Sequence, residues 1–221
     1  IPLFKKYIDC EFIVHGSFKN NLIPKKSNIL KKFALISQVS KYGEKKFLTN
    51  SKNIVNVEKF FEKYTKELLK NFTKIFPKET LYVIPYNCSW SKSFIYEEKF
   101  FLDFQKNYKF KIKIVKKDKP DDAYKYIDKF NILFGLNSTL LYEAFGRGKK
   151  ILYCNTFLNE NIKGYEFGWP SKKFYNSNIS IKKFNLKDFK KKLKNLVVMN
   201  DNKWNKYFKK IKFCIMNFDN G

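Results

Sequence analysis

The alternation of short strand-like runs with longer helical patterns limits most strongly what this chain can fold into. Residues 33–37, 81–85, 110–115, 131–134 and 150–153 are brief runs rich in aliphatic, β-branched and aromatic side chains. Between the first two, Val57, Phe60, Phe61, Tyr64, Leu68, Leu69, Phe72, Ile75 and Phe76 recur at helical spacing with Glu and Lys between them, so one helix face is core. Further helices are expected over 96–106, 121–129, 138–146, 186–196 and 202–213. Repeated strand-helix units give an α/β fold with a mostly parallel, doubly wound sheet and helices on both faces. A length of 221 residues suits one well-filled domain. No fixed internal period is visible.

The first 32 residues behave differently. Residues 11–14 read as a lone strand, and 17–32 are polar, lysine-rich and contain Pro24. The expected division is therefore 1–32, the end of a preceding N-terminal lobe with its inter-lobe linker, and 33–221, the α/β domain. The chain begins without Met, in the middle of apparent structure, and is expected to be the C-terminal part of something longer. No apolar run approaches the roughly 18 residues of a membrane-spanning helix, and the start does not read as a signal peptide. The expected location is cytoplasmic.

The chain holds 46 basic and 20 acidic residues, a formal net charge of +26, which suggests anionic partners. Yet Arg147 is the single arginine. Base-reading and phosphate-specific sites favour the planar fork of Arg over the point charge of Lys. Abundant Lys, Phe, Tyr, Asn and Ile also follow AT-rich codon usage, so a solvated lysine surface outweighs nucleic-acid binding. The remaining electrostatic reading is peripheral contact with an anionic membrane. Cys10, Cys88, Cys154 and Cys214 are scattered, with no metal or redox spacing, and read as reduced thiols.

The chemistry-bearing stretch is 135–150, Gly-Leu-Asn-Ser-Thr-Leu-Leu-Tyr-Glu-Ala-Phe-Gly-Arg-Gly-Lys-Lys. Gly135 permits a tight turn and close backbone approach, Asn137 or Ser138 can cap the helix, and the free amides of its first turn favour an anion such as phosphate. A plain capped helix would look the same but for Glu143. That residue lies past the capping-box position of either cap, and one turn beyond Thr139 on the same side. A carboxylate there can accept hydrogen bonds from ribose hydroxyls at a crevice on the carboxyl ends of parallel strands.

Residues 137–150 resemble the nucleotide-sugar-binding helix of GT-B glycosyltransferases. They are similar, more closely, to bacterial surface carbohydrate biosynthesis proteins with the pattern Ser-Thr-Leu-x-Tyr-Glu-Ala-x-x-Arg-Gly-Lys-Lys. Residues 12–18 with Ile36, Ser37 and Gln38, and the Gly-Tyr-Glu-Phe-Gly-Trp-Pro run at 164–170, agree with the same group. The resemblance covers about residues 10–170. It implies the Rossmann-like C-terminal lobe of a GT-B glycosyltransferase, which moves a sugar from a nucleotide-activated donor to a glycan or lipid-linked acceptor in bacterial polysaccharide or lipopolysaccharide biosynthesis. By that analogy Ser138 and Thr139 contact phosphate, Glu143 the ribose, and Ser37 and Gln38 the phosphate or sugar from the opposite side. The group pattern Ile-Pro-Arg-Asn is broken at Tyr86, which stands in place of the cation.

His15, the only histidine, follows a strand and is the candidate catalytic base, with a structural role as the alternative. Arg147 near a helix C-terminus is read as satisfying carbonyls or the dipole. Tyr165, Phe167 and Trp169 either stack on the ligand or pack. Asp121 and Asp122 read as a helix start, so no metal is expected, and no cofactor beyond the donor substrate. The rival function is a non-catalytic module, either a degenerate nucleotide-sugar domain or a lysine-rich nucleic-acid binder.

Overall fold

The computed structural model describes residues 31–162 and 177–212. In chain order the elements are β1 (Lys31–Ile36), β2 (Lys46–Leu48), β3 (Ile54–Asn56), α1 (Val57–Ile75), β4 (Leu81–Ile84), α2 (Lys92–Tyr108) and β5 (Ile112–Ile114). They continue with α3 (Asp122–Ile127), β6 (Phe130–Leu136), α4 (Thr139–Gly146), β7 (Lys150–Cys154), β8 (Ser180–Ile181), α5 (Leu186–Val198) and α6 (Asp201–Ile211).

Six strands form one sheet in the order β5-β4-β1-β6-β7-β8, every neighbouring pair parallel. Counting these strands along the chain gives 3-2-1-4-5-6, the Rossmann order. β1 is central and buried on both faces: Phe33, Ala34, Leu35 and Ile36 are all buried, which is why its sequence is a continuous apolar run and not an alternating one. Right-handed crossovers place α1 and α2 on one face and α3 and α4 on the other. Ring contacts agree. Phe134 of β6 meets Phe72 of α1 and Phe189 of α5, whereas Tyr153 of β7 stacks on Tyr142 of α4.

Helix starts follow local chemistry. Asn56, Ser91, Asn185 and Asn200 each accept a backbone N–H of the first turn, at 2.9, 3.1, 2.8 and 2.9 Å, the ordinary N-cap bond. α1 stops at Phe76, one residue before Pro77.

The expected α/β, Rossmann-like sheet with helices on both faces is the observed one. Two pieces escape the pattern reading: the antiparallel β2–β3 hairpin, inserted between β1 and α1, and the two-residue β8. The hairpin is held by Phe47, which meets Phe60 and Phe61 of α1 and Phe157 after β7. It folds over the carboxyl end of the sheet. Residues 1–30 lie outside the described part, so the expected division at residue 32 is not addressed.

Candidate functional site

In this strand order β1 leads towards β4 on one side while its other neighbour, β6, leads towards β7. The crevice at such a reversal opens at the carboxyl ends of the strands. Ser37 and Gln38 follow β1, and Asn137, Ser138 and Thr139 follow β6, so the fold brings both predicted groups to one rim. Gly135 sits within β6, not in a turn. A Cβ there would lie 2.6 Å from the Ile36 carbonyl oxygen, so the close approach it permits is between β1 and β6 themselves, one residue before the crevice.

Two clefts open on this rim. One, of about 470 Å³, lies under the hairpin, with Phe47, Phe61 and Phe157 on its walls and Lys45 and Lys46 beside them. The other, of about 420 Å³, is lined by Ser37, Lys117, Asp121 and Ser138. Gln38, Tyr86 and Thr139 line both.

The predicted residues divide by what they already bind. Asn137 takes a left-handed backbone, φ +40°, and its amide is turned inward: Nδ2 donates to Asn155 at 3.2 Å, and Oδ1 accepts from the Thr156 backbone N–H at 3.2 Å and the Thr156 hydroxyl at 2.7 Å. It ties β6 to the loop after β7. Ser37 is 2% exposed, and its Oγ accepts the Val39 N–H at 3.1 Å. Ser138 differs. It holds the N-cap position of α4 and is 4% exposed, yet its side chain makes no capping bond. Thr139 is exposed on the rim, while Glu143 is half-buried and lines neither cleft.

Two buried charges shape the mouth. Glu97 of α2, fully buried, accepts the backbone N–H groups of Tyr86 and Asn87 at 2.9 and 3.1 Å and the Asn87 side chain at 2.8 Å, and is also hydrogen-bonded by Ser37. Burial raises its pKa above the usual carboxylate range against those hydrogen bonds. Lys117, after β5, is 5% exposed, and its Nζ donates to the carbonyls of Pro85 and Tyr86, both at 2.8 Å. Burial lowers its pKa. The 85–87 turn is thus gripped through its N–H groups by an acid and through its carbonyls by a cation. Lys117 lines the cleft beside the turn where the sequence pattern lacked its arginine. Tyr42 donates its hydroxyl to the Gln38 carbonyl at 2.9 Å, and burial first, then Tyr86 and Glu97, push that phenol's pKa up, so it remains a donor.

Sequence reading missed both grips. Glu97 carried a signal: with Phe94, Phe101 and Phe104 it shares the inward stripe of α2. Lys117 carried none among so many lysines. Arg147 occupies the C-cap position of α4, as expected, and its guanidinium also forms a buried two-point pair with Asp128 at the opposite end of the sheet. His15 and the aromatic residues Tyr165, Phe167 and Trp169 lie outside the described residues. Among the described residues no group of His, Cys, Asp and Glu is placed to hold a metal ion, and no helix is long and apolar enough to cross a membrane.

The sequence has no significant match among curated proteins. Among solved structures it is similar to UDP-GlcNAc 2-epimerase from Neisseria meningitidis bound to UDP-GlcNAc, at 10% identity and TM-score 0.44, covering 87% of this chain and 40% of that one. It is also similar to Methanocaldococcus jannaschii UDP-GlcNAc 2-epimerase in complex with UDP-GlcNAc and UDP, at 11% identity and TM-score 0.45, covering 85% of this chain and 46% of that one. The chain spans less than half the length of either. A family model described as "putative O-antigen biosynthesis protein" matches residues 2–221, and the chain belongs to that family.

Proposed function

We propose that this chain is the donor-binding portion of a glycosyltransferase of surface-glycan assembly, using the β1/β6 crevice to hold a nucleotide-activated sugar. The observation that carries the reading is Ser138: a buried hydroxyl at a helix N-terminus, on the wall of a cleft, with no capping bond to the helix. Hydroxyl and first-turn amides together suit a diphosphate. Thr139 and Gln38 stand between two clefts of a size for the sugar and the nucleoside, with Lys45, Lys46 and Lys117 as the nearby cations.

In the reaction, the acceptor hydroxyl oxygen bonds to the anomeric carbon as the bond from that carbon to the diphosphate oxygen breaks. The proton passes to a base, for which His15 is the candidate, and the diphosphate leaves with the electron pair. The crevice contributes positioning and stabilisation of the charge on the leaving group.

A thermal-shift panel of UDP-, GDP-, CMP- and dTDP-sugars tests this. One nucleotide class should raise the melting temperature. No shift with any of them, alongside a shift with single-stranded oligonucleotides, would replace this reading with a non-catalytic binding module.

A further inference from the structure

Away from the crevice, α1 and α2 lie side by side and present a shared outward face. Lys66 Nζ is 5.2 Å from the Phe100 ring centre and Lys70 Nζ 5.6 Å from that of Tyr108, across a groove of about 450 Å³. On α1, Lys59, Lys63, Lys66, Lys70 and Lys74 are all exposed and follow i, i+4, i+7, i+11, i+15, a single stripe opposite the buried Leu68 and Phe72. On α2 the outward stripe runs Lys92, Ile95, Lys99, Leu102, Lys106 at i, i+3, i+7, i+10, i+14. All five are exposed, Ile95 by 66% and Leu102 by 51%. Glu62 and Asp103 line the groove between the stripes, Glu58, Glu67 and Glu98 lie at their edges, and Lys63 is paired with Glu160 at 2.6 Å, so lysines outnumber acids on this face without excluding them.

We propose that this α1/α2 face docks on an anionic lipid surface. Lysines supply the attraction to acidic headgroups, and their long stems leave room for Ile95 and Leu102 to enter the boundary of headgroups and acyl chains. Two aliphatic side chains set between lysines have no role against a phosphodiester backbone, which argues against a nucleic acid on this face. Exposed lysines occur together with exposed aliphatic side chains on α2 and, with Leu186 and Val198, at the ends of α5, but not on every lysine-rich helix. On α6, Lys203, Lys206, Lys209 and Lys210 are equally exposed, but no large hydrophobic side chain is exposed among them. The α2 stripe is about 21 Å long at 1.5 Å per residue, enough to lie along a membrane surface.

The test is co-sedimentation of the full 221-residue chain with vesicles of phosphatidylcholine alone and of phosphatidylcholine mixed with phosphatidylglycerol, with circular dichroism confirming that each variant is folded. The chain should bind the mixed vesicles, with affinity falling as salt rises. The pair Lys99→Gln and Lys106→Gln should weaken binding roughly thirtyfold at low salt, from about a kcal/mol per lysine. The pair Ile95→Asn and Leu102→Asn should weaken it roughly tenfold and leave the salt dependence in place. The α6 pair Lys206→Gln and Lys210→Gln should change it little. Equal binding to uncharged vesicles, equal loss from the α6 pair, or no effect of the aliphatic pair would overturn the proposal. So would an oligonucleotide that binds through Lys99 and Lys106 when vesicles do not. A chain that binds vesicles but no sugar nucleotide would keep this inference and lose the donor-binding reading, so the two fail separately.

Discussion

The two ends of the parallel sheet both bury charge, and they use it differently. At the amino end, Arg147 and Asp128 are each fully buried and bound to one another at two points, while Lys149 Nζ donates to the Asp128 carbonyl at 2.7 Å. Each charge there is committed to another part of the fold, locking the end of α4 to the start of β6. At the carboxyl end, Glu97 and Lys117 do not meet each other. They grip the N–H and carbonyl sides of one turn and hold the wall of a cleft, leaving Ser138 and Thr139 beside it without a capping bond or a buried partner to satisfy. Where burial fixes only the frame, polar groups remain at the rim for a ligand. This contrast separates the structural end from the candidate functional end without appeal to resemblance.

The largest expected effect breaks the amino end. Arg147→Ala removes one partner of a fully buried ion pair, and stability should drop by about 3–5 kcal/mol. Chemical denaturation measures the loss. Sugar-nucleotide affinity, read per folded molecule, should not change, because Arg147 pairs with Asp128 at the amino end of the sheet, away from the rim. A parallel fall in affinity would show that the two ends are coupled.

At the carboxyl end, Glu97→Gln should cost about 1–3 kcal/mol, because an NH₂ group replaces an oxygen that accepts from the Asn87 backbone and side chain. The pH dependence sharpens the comparison. Burial raises the folded-state pKa of Glu97 above its ordinary value of 4.5, so the native state holds this proton more tightly than the unfolded chain does. Its contribution to stability is complete below the ordinary value and is lost as pH rises through the folded one. Melting temperatures measured from pH 4 to 8 should show the wild type losing ground to Glu97→Gln as pH rises. A constant gap between the two would mean that the carboxylate's hydrogen bonds cancel its desolvation.

How legible each end was follows from the kind of information it needed. The frame was readable because burial imposes periods: β1 as an unbroken apolar run, α1 as Phe60, Tyr64, Leu68 and Phe72 on one side, and the rim helix from its strand, cap and apolar sequence. The hairpin was not, since three-residue strands carry no period and Phe47 is fixed by contacts with α1 and with Phe157, far along the chain. Which polar groups at the rim are spent was equally hidden. Nothing in a single sequence distinguishes Asn137, occupied by Thr156 and Asn155, from its neighbour Ser138, since the difference arises only when β7 and its loop pack beside β6.

The smallest effect on stability is the most informative about function. An N-cap serine that bonds its helix costs about 1 kcal/mol when changed to alanine. Ser138 makes no such bond, so Ser138→Ala should move the unfolding free energy by less than about 0.5 kcal/mol. Calorimetric titration with whichever sugar nucleotide gives the largest thermal shift should instead show roughly a tenfold loss of affinity, the scale of one hydrogen bond to a charged group. Ser91→Ala in α2, whose hydroxyl does accept the Phe94 N–H at 3.1 Å, supplies the opposite pattern: a stability loss of about 1 kcal/mol with affinity retained. If Ser138→Ala behaves like Ser91→Ala, its hydroxyl caps α4 in solution and the rim has no hydroxyl reserved for a phosphate.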